Sequence, residues 1–153
     1  MILKLRQRMA QDESGFTLVE LLVVMLILGL LAAIAIPAFF NQRDKARDAS
    51  AKEAVRTAET SMETYATDHD GKYQIGTVTA ADLKNIESTL NNATLADPVV
   101  GGAAGDNADN SYKVTVTSAT GNTFSVTRHG NGTIALTCTT GGTAGCPAGG
   151  TWG

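Results

Sequence analysis

The sequence predicts an α+β protein: one long N-terminal helix, hydrophobic and then amphipathic, packed on a small antiparallel β-sheet head. Three observations carry this expectation. Leu21 through Ile36 contains no charged residue, apolar residues then recur at helical spacing as far as Tyr65, and three alternating segments between Tyr112 and Cys138 are separated by Gly/Asn turns. The 153 residues allow one ordinary domain, and 43% hydrophobic with 18% charged residues is a globular composition. That average hides an uneven spread, because the chain beyond Pro37 is polar, alanine-rich or rich in Thr, Gly and Asn. The expected parts are a basic flank at 1–15, an apolar helix at 16–40, its amphipathic continuation at 41–68 and a head at 69–153. A head of about 85 residues has a marginal core, so it is expected to lean on the helix and on a cross-link. The formal net charge of −3 gives no sequence evidence for nucleic acid as a partner.

Lys4, Arg6 and Arg8 precede the apolar run, the flank that stays cytoplasmic under the positive-inside rule, so the head should point outward. A cleaved secretory signal fits poorly, since the run is long and Ala35-Ile36-Pro37 is a poor small-residue cleavage site. A plain single-pass anchor fits in length, about 20 apolar residues being enough to span a bilayer. It leaves Glu20 unexplained. A charged side chain deep in hydrocarbon costs about 3 kcal/mol on insertion scales, which makes an intramembrane acid a functional candidate.

A basic leader ending in Gly15, followed by Phe16-Thr17-Leu18-Val19-Glu20-Leu21-Leu22-Val23-Val24, resembles the class III signal of type IV pilins and the related pseudopilins. The match continues through Gly29 and Pro37, where that family has a helix-loosening glycine and proline, and it covers Met1 to about Gln42. The resemblance implies the pilin fold and removal of 1–15 by a prepilin peptidase, which cuts between Gly15 and Phe16 and methylates Phe16. It implies a single-pass inner-membrane precursor with a cytoplasmic N-terminus, surrounded by lipid before assembly. An assembly platform and ATPase then polymerise such subunits, through their helices, into a helical homopolymer. With no Lys or Arg between Phe16 and Gln42, the amine freed at Phe16, on an adjacent subunit or in its own first turn, is the expected partner of Glu20 during filament assembly. The alternative leaves Glu20 wet at the headgroup level. The family also leaves two systems open, a type IV pilus for adhesion, motility or DNA uptake and a pseudopilin of type II secretion acting in protein export. Outside it stands a membrane-anchored binding module with an uncut leader.

Along the helix, Gly29 weakens the backbone and Pro37 lacks an amide donor and clashes with the carbonyl of Ala33, so this stretch is expected either to bend or melt or to kink gently. The stripe Ala51, Val55, Ala58, Met62 and Tyr65 should dock onto the head, with Asp48, Lys52 and the other charges read as a solvated face. Gly71 is the expected left-handed residue closing the helix. Thr79-Ala80-Ala81-Asp82 resembles a capping box, opening a short helix with Leu83, Ile86 and Leu90 on one face.

Asp97 to Asn110 reads as an exposed loop whose Asp97, Asp106 and Asp109 are weak oxygen-ligand candidates for calcium, without the spacing of an EF-hand. Strands are expected at Tyr112–Ser118, Thr123–Arg128 and Thr133–Cys138, joined by hairpin turns. Cys138 and Cys146, the only cysteines, lie in a segment expected outside the cytoplasm and read as a disulfide, free thiols being the alternative. No cofactor is expected, and no catalytic residues: His69 and His129 are isolated, no metal-ligand pair is present and no Gly-rich phosphate loop follows a strand.

Overall fold

The computed structural model describes residues 15–74, 77–101, 106–139 and 141–153; the expectations for 1–14, with Lys4, Arg6 and Arg8, and for the middle of the Asp97 to Asn110 loop lie outside the described residues. One helix, α1, runs from Leu18 to Asp68 and is continuous through Gly29 and Pro37. The chain divides into two compact units at Phe40/Asn41. In the first, every residue from Phe16 to Phe40 is exposed.

In the second unit, α1 buries Asp48, Ala51, Val55, Ala58, Ser61, Met62, Tyr65 and Ala66, a period of three to four residues that keeps one stripe on the head. Val55, Ala58 and Met62 are completely buried, and the apolar members of the stripe pack in one cluster with Tyr112, Val114, Val116, Phe124 and Val126 of the sheet. Removing each large side chain of such a cluster from water contributes about 1.5 to 3 kcal/mol, so the head leans on the helix as its size requires. α1 ends in a six-to-one hydrogen bond from the Gly71 amide to the Ala66 carbonyl at 2.8 Å. That geometry puts Asp70, with φ 53°, at the left-handed closing position expected for Gly71, which follows at φ 76°.

Helix α2, Ala80–Ile86, carries the expected reciprocal cap between Thr79 and Asp82. The expected apolar face is shorter than the spacing suggested. Leu83 and Leu90 are buried, but Ile86 is exposed, because Glu87 turns extended and Leu90 sits in a separate 3-10 turn, Ser88–Asn92.

The sheet is antiparallel and five-stranded: β1 Thr94–Leu95, β2 Val99–Val100, β3 Tyr112–Thr117, β4 Thr123–Arg128 and β5 Ile134–Cys138. The order is β1-β3-β4-β5, with β2 also paired to β3. Tyr112, Val114 and Val116 point inward and alternate with Lys113, Thr115 and Thr117. The short β2 corrects the reading of 97–110 as loop throughout, since Val99 and Val100 pair with Lys113 and Tyr112; β1, just before that loop, was not expected from the sequence. Beyond β5, the C-terminal residues return along its outer edge. Cys138 donates its amide to the Gly150 carbonyl at 2.7 Å, Thr151 bridges Thr137, and Trp152 donates Nε1–H to the Thr137 carbonyl at 2.8 Å. Trp152 packs edge-on against Phe124 and lies beneath the cations of Lys52 and Arg56.

Candidate functional site

The N-terminus of α1 is built around Glu20. Thr17 is its N-cap and Glu20 the third helical residue, and the two close a reciprocal cap. Thr17 donates its amide and its hydroxyl to Glu20 Oε2 at 3.3 and 3.2 Å, and the Glu20 amide donates to Thr17 Oγ1 at 3.2 Å. The Thr-x-x-Glu spacing that makes this cap was readable in the sequence. The carboxylate is thus aimed at the positive end of the helix macrodipole, worth typically about 0.3 to 1 kcal/mol. Among the described residues it has no cationic partner, and Oε1 accepts no hydrogen bond. Phe16, four residues before it, is 83% exposed.

From Leu18 to Phe40 the helix shows apolar side chains on all faces, a surface that suits lipid or other apolar helices and not water. At 1.5 Å per residue this stretch is about 34 Å long, which matches a hydrocarbon core of about 30 Å. By length and composition α1 can cross a membrane. Gly29 and Pro37 lie within this stretch; a Cβ added at Gly29 would meet nothing within 4 Å.

In the head, the structure separates the calcium candidates. Asp97 accepts the Ala80 amide at 2.8 Å and so holds the start of α2. Asp106 pairs with His129 Nδ1 at 2.8 Å and accepts the Gly130 amide at 3.0 Å; these hydrogen bonds, the Gly130 amide first, hold its carboxyl below the usual value. The Asp109 carbonyl accepts the Tyr73 amide. Among the described residues no three His, Cys, Asp or Glu side chains converge as a metal set.

Asp48 corrects the reading of a solvated charge. It is wholly buried, and its carboxylate accepts the Thr120 hydroxyl, the Asn122 side-chain amide at 2.7 Å and the Gly145 backbone amide at 2.8 Å. Burial by itself would raise this carboxyl; hydrogen bonds from Ser118, Thr120, Gly145 and Asn122 outweigh it and hold the group below its usual value. The helical period places Asp48 on the buried stripe, a signal that its charge masked. Cys138 and Cys146 are joined in a disulfide with Cα atoms 5.9 Å apart, closing the loop that supplies Gly145.

At the other end of the stripe, Glu63 accepts the Tyr73 and Tyr112 hydroxyls at 2.8 and 2.9 Å and pairs with Arg128 at 3.2 Å. Burial, then the hydrogen bond to Glu63, pushes the Tyr73 hydroxyl up to about 12 and raises Tyr112 further.

An apolar helix exposed on every face, opened by a Thr-x-x-Glu cap just beyond a Gly-Phe junction and followed by a disulfide-closed α+β head, defines a small-headed protein whose long N-terminal helix suits an apolar surrounding. The prokaryotic N-terminal methylation motif matches residues 11–36. The type IV narrow pilus major component PilA5 of Thermus thermophilus is 32% identical over 123 residues, 76% of this chain and 89% of that protein. The type IV major fimbrial protein FimA of Dichelobacter nodosus is 39% identical over 93 residues, 59% of this chain and 60% of that one. The type II secretion system core protein G of Pseudomonas aeruginosa is 36% identical over 59 residues, 39% of this chain and 42% of that one. No solved structure matches. The chain belongs to the type IV pilin and pseudopilin family.

Proposed function

We propose that the protein is a structural subunit of a type IV pilus, stored as a single-pass inner-membrane precursor and polymerised through α1 into an extracellular filament for adhesion, motility or DNA uptake. The observation that carries this reading is the reach of the similarity. The relationship to the narrow-pilus component takes in 76% of the chain and therefore extends into the head, whereas that to core protein G takes in 39%. The role is one of assembly and not of catalysis.

In this reading the prepilin peptidase cuts between Gly15 and Phe16, frees the Phe16 amine and methylates it. Removing the leader converts a neutral peptide nitrogen into a cation within reach of the first helical turn. The open Oε1 of Glu20 then accepts that ammonium from a neighbouring subunit, while Oε2 remains on Thr17. Pairing offsets the cost of holding either charge in an apolar filament core. Moving α1 from lipid to a bundle of identical helices exchanges one apolar surrounding for another, so the exposed surface at 21–36 need not meet water. Gly29 and Pro37 supply the local give that this packing requires.

The test is N-terminal mass mapping of native protein together with imaging of sheared surface material. A start at methylated Phe16 in long extracellular fibres supports the pilus reading. The same start without surface fibres moves the protein to the secretion pseudopilins, and an intact Met1 leader removes both. Glu20→Ala is expected to abolish fibres while leaving the head's melting temperature unchanged. Normal fibre yield from that variant would remove the role given to Glu20.

A further inference from the structure

Asp48 is the first buried residue met along α1 from the N-terminus, and its carboxylate accepts hydrogen bonds from a hydroxyl, a side-chain amide and a backbone amide. Those donors come from places distant in sequence: Thr120 and Asn122 from the β3–β4 turn, and Gly145 from the loop closed by the disulfide. Asn122 also bonds Thr143, donating to its carbonyl and accepting from its hydroxyl, each at 3.3 Å. The approach is close enough to require a glycine, since a Cβ on Gly145 would lie 2.6 Å from the Asp48 Cβ. Ala144 is held at φ 47°, a left-handed conformation costly for alanine. Cys146 follows Gly145 directly and is 2% exposed. The loop is thus shaped on one side by the sulfur bridge and on the other by a buried charge.

We infer that the Asp48 clasp makes the disulfide loop a redox-sensitive lock on the first docked turn of α1. With the bridge closed, Gly145 is presented to Asp48 and the buried charge is satisfied. An external dithiol opens it by two-electron exchange. One thiolate attacks a bridge sulfur, the S–S bond breaks, and the second thiolate resolves the mixed disulfide. Cys138 and Cys146 leave as two thiols, each with one proton, and the reagent leaves as its own cyclic disulfide. The released loop withdraws the Gly145 amide, the carboxylate exchanges that donor for water, and the Asp44 to Asp48 turn loosens from the head. The coupling is reciprocal: what the closed loop gives the clasp, the clasp gives the disulfide. Asp48→Asn keeps the size of the side chain but removes the charge that strengthens the hydrogen bonds from Asn122 and Gly145.

The test uses the full chain in detergent micelles, equilibrated with oxidised and reduced dithiothreitol at set ratios. Cysteine alkylation reads the fraction reduced, and hydrogen exchange reads amides 44–50 against amides 112–117 in β3. Asp48→Asn is expected to make half-reduction occur at a reduced-to-oxidised ratio about tenfold lower, about 30 mV for this couple. Reducing the wild-type protein is expected to cost 44–50 about tenfold in protection while 112–117 keep theirs. Oxidised Asp48→Asn should show the same local loss, with little more on reduction. An unchanged half-reduction ratio overturns the coupling. Protection retained at 44–50 in the reduced wild type, or lost equally at 112–117, overturns the lock without recourse to any variant.

Discussion

Between Leu18 and Phe40, α1 presents apolar side chains outward on every face; between Asp48 and Ala66 the same helix buries one stripe and leaves Glu53, Arg56 and Glu63 in water. Hydrophobicity alone therefore does not say what is buried. Among the described residues the most apolar stretch is exposed throughout, and the moderately apolar stretch carries the core, because what organises the head is the period of the apolar residues and not their density. A surface so exposed is a statement about its surroundings, and it suits lipid or other apolar helices rather than water.

The contrast is broken most strongly by truncating one residue from each half. Met62→Ala, in the fully buried stripe, is expected to destabilise the head by about 2 to 5 kcal/mol. Leu26→Ala, 64% exposed, is expected to change head stability by less than about 0.5 kcal/mol, both read by denaturant unfolding followed through Trp152 fluorescence. Next in size is the cross-link. Replacing Cys138 and Cys146 together by serine should cost about 2.5 kcal/mol on the chain-entropy account for so short a loop, measured the same way.

Asp48→Asn should follow, at about 1.5 to 3 kcal/mol for hydrogen bonds lost from a charged acceptor. It also carries a pH signature. The folded carboxyl sits below its usual value of 3.8, so its contribution is complete above that value and is lost as pH falls through the lower folded value. Acid unfolding of the wild type should therefore steepen below about pH 4, and Asp48→Asn should flatten that limb. A smaller and purely local effect is expected at the start of the apolar half: Thr17→Ala removes the cap on Glu20 and should fray the first turn by about 1 kcal/mol. Exchange at amides 18–21 should rise while head melting does not move.

The docking stripe was legible because Val55, Ala58 and Met62 repeat at the helical period, and β3 was legible because Tyr112, Val114 and Val116 alternate. The Thr79–Asp82 cap was legible for a similar reason, being a contact three residues apart. What sequence reading missed was non-local or too short to show a period. β1 and β2 have two residues each, below the length at which alternation can be counted. Ile86 fits the face of Leu83, yet the chain turns extended at Glu87 before that face is used. Asp48 looked like surface because an isolated acid in the core is costly, and the donors that make it affordable lie 72 to 97 residues away. At the N-terminus, the acid, the Gly15-Phe16 junction and the apolar run were all readable, since everything there is local in the chain.

The return of Thr151 and Trp152 along the outer edge of β5 has a consequence for biosynthesis. A chain made from its N-terminus delivers the apolar segment well before this edge-covering segment. The outer edge of β5 therefore stays open until Thr151 and Trp152 have been made and have paired with it. The apolar helix is complete before the head can close, so closure of the head is ordered by the direction of synthesis itself.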